Sequence, residues 1–139
     1  MIGALIAKAA VKKTFSSLNQ KDLASFLKDW HDDAVFHYPG NLSVSGTYEG
    51  KAIITTWFER MFSQFSSIKF TPRHICVENL FDVLGSNTLM IQVDIQLINK
   101  NGVEIENSGA IFLRLKHGKV VAARDYFFFP ERLATGWAD

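Results

Sequence analysis

Leu89-Met90-Ile91-Gln92-Val93-Asp94-Ile95-Gln96-Leu97 alternates strictly between two kinds of residue. Leu89, Ile91, Val93, Ile95 and Leu97 form one row, and Met90, Gln92, Asp94 and Gln96 the other. A period of two is the signature of a strand whose faces meet different surroundings. Two arrangements fit. The aliphatic row packs into a core and the polar row meets water. Alternatively, the polar row lines an internal cavity and the aliphatic row is buried against a second subunit, since an exposed aliphatic patch is a liability. Periodicity leaves both open.

The same period extends in both directions from this stretch. Strands are expected at about 69–82, 87–99, 104–117 and 119–129, joined by the turns Leu84-Gly85-Ser86, Lys100-Asn101-Gly102 and His117-Gly118-Lys119. The last strand carries an anomaly. Val121, Ala123, Asp125, Phe127 and Phe129 share one face, so a carboxylate sits in an apolar row. Such a group is costly unless paired, hydrogen-bonded or protonated. It is either a proton-transfer residue with a shifted pKa or a structural carboxylate answering Arg124 or a polar network.

Upstream the period becomes helical. Ile2, Leu5, Ile6, Ala9 and Ala10 predict an amphipathic helix over 2–18. Asn19 and Asp22 offer capping groups for a second, whose Leu23, Phe26, Leu27 and Trp30 repeat at helical spacing. Asp32-Asp33 reads as a solvated turn, and Ala34-Val35-Phe36-His37-Tyr38 as a short strand stopped by Pro39-Gly40. Gly46-Thr47-Tyr48-Glu49-Gly50 is a turn before a third helix, which carries Ile53, Ile54, Trp57, Phe58, Met61, Phe62 and Phe65 on one broad side. Helices first and an antiparallel meander last give a single α+β domain over 1–139, with the helices on one face of a curved sheet.

Composition narrows the function classes. A chain of 139 residues, 47% hydrophobic and 21% charged, is globular. Fifteen basic against fourteen acidic residues leave no basic footprint for nucleic acid or an anionic membrane. Twelve phenylalanines suit a large core or an aromatic-walled pocket. The one cysteine, Cys76, excludes an intramolecular disulfide and reads as a small buried hydrophobe on a strand. No spacing of ligands suggests a metal. The N-terminal lysines follow rather than precede the apolar residues, unlike a signal peptide, and no run reaches the ~18 residues of a membrane span. A cytoplasmic location is expected.

Phe36-His37-Tyr38-Pro39-Gly40, Gly46-Thr47-Tyr48-Glu49-Gly50 and Gly118-Lys119-Val120-Val121 leading into Arg124-Asp125-Tyr126-Phe127 together resemble the SnoaL-like polyketide cyclase branch of the NTF2-like superfamily. That group is related to ketosteroid isomerases and limonene-type epoxide hydrolases. The resemblance covers essentially the whole chain. It implies a cystatin-like cone: three helices packed on a strongly curved, mostly antiparallel sheet that encloses a pocket. It also implies a homodimer through the sheet's outer face, and turns Gln92 and Asp94 inward.

For the site, the resemblance to limonene-type epoxide hydrolases implies an acid/base pair, Asp94 and Asp125. Gln92 stands where those enzymes carry a bridging arginine, and Phe36 and Tyr38 stand where they position water with Tyr and Asn. Without the arginine, two nearby carboxylates would share a proton. The ketosteroid isomerase pattern fits less well, because Tyr38 replaces the base before Pro39. Its protonated aspartate would fall on Ala110-Ile111-Phe112, which offers no side-chain donor. The expectation is therefore a cofactor-free acid/base enzyme, an isomerase, cyclase or epoxide-hydrolase-like hydrolase, acting on a small apolar molecule. Asp125 and Asp94 would move the proton. Tyr38, Gln92, Phe36, His37, Trp57, Phe112 and Phe127 would contact substrate, with His74 a further possible partner. The alternative is a non-catalytic ligand-binding domain of the same shape.

Overall fold

The computed structural model describes Met1–Asp139. Helices α1 (Ile2–Asn19) and α2 (Leu23–Lys28) come first. They are followed by strands β1 (Trp30–Tyr38) and β2 (Gly46–Glu49), helix α3 (Lys51–Gln64), strands β3 (Phe65–Val77), β4 (Asn87–Asn99), β5 (Glu104–Lys116) and β6 (Lys119–Phe127), and a short helix α4 (Arg132–Trp137). One six-stranded sheet has the order β2-β1-β6-β5-β4-β3. All its pairs are antiparallel except β1 with β6. The architecture is α+β, with a curved sheet, as the alternation predicts. No helix is long and apolar enough to cross a membrane.

The helices lie on one face of the sheet, and this decides the open question about β4. Leu89, Ile91, Val93 and Ile95 point into the core, each no more than 2% exposed. Met90, Gln92 and Gln96 are exposed and Asp94 half-buried on the opposite face. The inward placement of Gln92 and Asp94 is therefore corrected. Only the helix-covered face removes apolar surface from water, and the aliphatic row is the one that gains by it. The proposed cover for that row, a second subunit, is not needed.

Smaller differences have local causes. Trp30, expected at the end of the second helix, instead opens β1, because α2 stops after six residues at Asp29. Cys76 is exposed, as its register partner Met90 is on the outer row. Strand β3 begins earlier than expected and ends at Val77; residues 78–86 form a loop in which Asp82 accepts hydrogen bonds from Leu84 N and Ser86 N. In β6, a register shift opposite Arg114 and Leu115 puts Val120 rather than Val121 on the buried face. Ala123, Asp125 and Phe127 keep the inward row expected of them.

Helix α4 closes one end of the fold. Gln64 Nε2 donates to Gly136 O at 2.9 Å and to Ala138 O at 3.1 Å. Gly136 makes a close approach here: a Cβ would stand 3.2 Å from the Phe65 ring, which would have to shift by a few tenths of an ångström. The Trp137 ring packs edge-on against that same Phe65, with centroids 5.2 Å apart.

Candidate active site

Between the helices and the concave face lies a cavity with about 60 Å³ open to the centres of water-sized groups, room for several. Its wall is overwhelmingly apolar and includes all three tryptophans, Trp30, Trp57 and Trp137. Asp125 is the only carboxylate on it.

The local sequence explains that position. Asp125 pairs with Ile111 across β5 and lies between Ala123 and Phe127 on the inward row. Its neighbour Arg124 points to the convex face, where its guanidinium sits 5.8 Å from the centre of the Tyr126 ring. The structural partnership with Arg124 is thereby excluded by alternation. No hydrogen bond or ion pair reaches the Asp125 carboxylate. Burial among rings disfavours its charged form and pushes its pKa up to about 7. At neutral pH this group both takes and gives a proton readily.

Tyr38 faces the same space from β1 and is 5% exposed. Trp137 Nε1 donates to its hydroxyl oxygen at 2.8 Å. Since that oxygen is the acceptor, the phenolic hydrogen stays available, and no protein group accepts it. Burial raises the Tyr38 pKa well above the ordinary tyrosine value; the Trp137 hydrogen bond opposes this and the nearby Asp125 charge adds to it. Tyr38 is thus a permanently protonated donor beside a carboxyl poised near neutrality. Its ring is fixed by Trp57 at 4.8 Å and Phe127 at 5.6 Å, and Trp57 is itself anchored through Nε1 to Val44 O at 2.9 Å.

Of the residues expected from sequence, the fold brings together Asp125, Tyr38, Phe36, Trp57 and Phe127. It separates the others. Asp94 lies outside, where Arg73 Nε donates to it at 2.6 Å and Ser108 Oγ at 3.3 Å. The hydrogen bond from Arg73 is the main reason its pKa is lowered. Gln92 shares that wet face, and Phe112 lies there under Arg114, 5.7 Å from its guanidinium. His37 is held by Thr47 Oγ1 at 2.8 Å on the outer side of β1, its pKa lowered by burial and by Arg124. His74 is exposed on β3. The pairing of two carboxylates is therefore withdrawn, and with it the sharing of a proton between them.

Sequence reasoning missed Trp137, Trp30, Leu133 and Asn107, all on the cavity wall. A signal existed for two of them: three tryptophans in so short a chain are large rings that need a common interior. Asn107 is buried and spends its amide on Phe129, donating to its carbonyl at 3.0 Å and accepting from its N–H at 3.2 Å. That clamp carries the chain from β6 into α4.

The sequence model of the SnoaL-like domain matches residues 11–123. The chain belongs to the SnoaL-like family. Among curated protein sequences none matches it. Solved structures share the fold at low identity. Bal32a, from a soil-derived mobile gene cassette, aligns with a TM-score of 0.83 at 17% identity over 97% of this chain and 98% of its own. TerC, co-crystallised with polyporic acid, aligns at 0.72 and 16% over 88% and 91%. A protein of ketosteroid isomerase-like fold from Catenulispora acidiphila, in complex with trimethylamine, aligns at 0.71 and 14% over 91% of each chain. These likenesses confirm the NTF2-like architecture of this SnoaL-like chain.

Proposed function

We propose that this SnoaL-like protein is a cofactor-free proton-transfer enzyme for a small, mostly apolar carbonyl compound, with Asp125 as its single acid/base group. The observation that carries this reading is Asp125 itself: an unpaired carboxyl in an aromatic cavity, with a pKa near 7. Tyr38 would donate its free hydrogen to the substrate oxygen while Asp125 removes a proton from the adjacent carbon. The electron pair of that C–H bond moves into an enol, and Asp125 returns the proton elsewhere on the substrate. Isomerisation and cyclisation both proceed through such a step. The mostly apolar wall leaves few competing dipoles around Tyr38, which strengthens its hydrogen bond at the developing oxyanion. The TerC complex is in keeping with this, since the same fold there holds an organic ligand.

The test is exchange of α-protons of small aryl methyl ketones with solvent deuterium, followed by NMR. Wild-type exchange should rise with pH to a plateau above about 7, the range in which Asp125 is the free base, and Asp125→Asn should abolish it. Ligand binding without exchange at any pH would instead favour a binding domain. Self-association through the convex face belongs to the same reading, supported by exposed Met90 and Tyr126 there. Sedentary monomers at high concentration in analytical ultracentrifugation would remove that part.

A further inference from the structure

Trp30 stands on the wall of the same cavity as Asp125, displaced from it along the strands. Its register partner on β6 is Val120, five residues before Asp125, a backbone separation of at most roughly 16 Å at the ordinary rise of a strand. The residue is 2% exposed, and its indole Nε1 is the only sealed side-chain polar atom in the protein without a hydrogen-bond partner. The other two indoles are both satisfied, Trp57 by Val44 O and Trp137 by Tyr38.

A buried N–H without an acceptor costs about 1–3 kcal/mol. What surrounds Trp30 offers little relief. Phe26 lies 5.7 Å away, Phe58 5.9 Å and Phe36 6.4 Å between ring centres, and ring faces are weak acceptors. A phenylalanine would carry no N–H to satisfy, so the indole's polar atom is the one feature of this residue that packing does not use.

We propose that Trp30 is a specificity-determining donor, and that the cavity takes an elongated, largely apolar ligand bearing an acceptor oxygen, carbonyl or ether, on the end remote from Asp125. The proposal rests on the reading of this cavity as a ligand site, though not on turnover. In the structure Nε1 is sealed from solvent, with the rings of Phe26 and Phe58 packed beside the indole, so a ligand oxygen reaches it as neighbouring side chains move aside.

The test uses two acetonaphthones, one with a methoxy group on its distal ring and one with ethyl in its place. The two have nearly the same shape and differ in a single acceptor. Wild-type protein should bind the methoxy compound roughly 5- to 10-fold more tightly, as one net hydrogen bond gives. Trp30→Phe should erase that ratio while still binding the ethyl compound. In the wild type, the Trp30 indole proton should move downfield in NMR with methoxy and not with ethyl, a measurement independent of how well the variant folds. Equal affinities, a ratio that survives Trp30→Phe, an unmoved indole proton, or no binding of either compound would each overturn the proposal. Deuterium exchange separates the two readings. Exchange on small aryl ketones without a methoxy preference would sink only the role of Trp30. A methoxy preference without exchange would sink only the proton transfer.

Discussion

Asp94 and Asp125 are both aspartates on strands of one sheet, and their circumstances are opposite. Asp94 lies on the convex face, hydrogen-bonded by Arg73 and Ser108 and held in its charged form. Asp125 lies on the concave face, with no partner and a pKa pushed up to about 7. Chemistry at a carboxyl depends on what solvates it. The convex aspartate has been given everything an anion needs, whereas the concave one has been denied it, and only the second is left ready to exchange a proton near neutral pH.

The sharpest way to break this contrast is to remove each carboxylate in turn. Asp125→Asn should lower the rate of α-proton exchange by about 100- to 10,000-fold, the usual worth of a positioned acid/base group, whereas Asp94→Asn should leave it within about 2-fold. Equal losses in the NMR assay would make the two faces equivalent. Next in size is Tyr38→Phe, which keeps the ring but removes the donor and leaves Trp137 Nε1 without its acceptor. A fall in exchange of about 100-fold is expected, with about 1–3 kcal/mol lost in urea unfolding. A variant that loses stability but no rate would show that Tyr38 only props up α4.

Stability against pH gives the third comparison, because the two groups slope in opposite senses. Asp125 binds its proton more tightly folded than unfolded, where an aspartate titrates near 3.9. The folded state therefore holds extra protons between about 4 and 7, and stability falls as pH rises through that window. Asp125→Asn should flatten this fall and raise stability at pH 8 by on the order of 2 kcal/mol. Asp94 has a lowered pKa, so its contribution is present above the ordinary carboxylate range and is lost as pH falls through its folded value. The smallest effect is the last: Asp94→Asn should change chemical denaturation only slightly, and added salt should erase the difference, because the pair with Arg73 is exposed. A difference that persists in salt would mean that the convex face is covered.

Much of the fold was legible because it rests on period. The four long strands and the first and third helices follow from residues such as Leu89, Ile91 and Val93 or Ile54, Trp57 and Phe58, whose spacing has one solution that buries them. Helix α4 was not legible: within Arg132–Trp137 only Leu133, Ala134 and Trp137 are apolar, and Gly136 argues against a helix. The site was legible in half. Asp125 stood out as a charge in an apolar row, and alternation on its own strand was enough to send it inward. Asp94 was misplaced because motif likeness was set above its strand's own alternation, although the aliphatic row had more area to bury. Trp30 and Trp137 carry no local signal of function, since an indole's hydrogen-bond partner is a matter of three-dimensional neighbours.

The Trp137–Tyr38 hydrogen bond joins residues 99 positions apart, and the parallel pairing of β1 with β6 is of similar reach. The antiparallel β3–β4–β5 meander, by contrast, links neighbours along the chain. Contacts that close long loops form late, after local ones have reduced the entropy cost. During synthesis β1 would wait, with its β6-side edge unpaired and Tyr38 without Phe127 and Trp137, until the C-terminal residues have been made. The cavity wall is incomplete until then, so if the proposed ligand reading holds, an apolar compound present during refolding should alter the yield as well as the stability of the product.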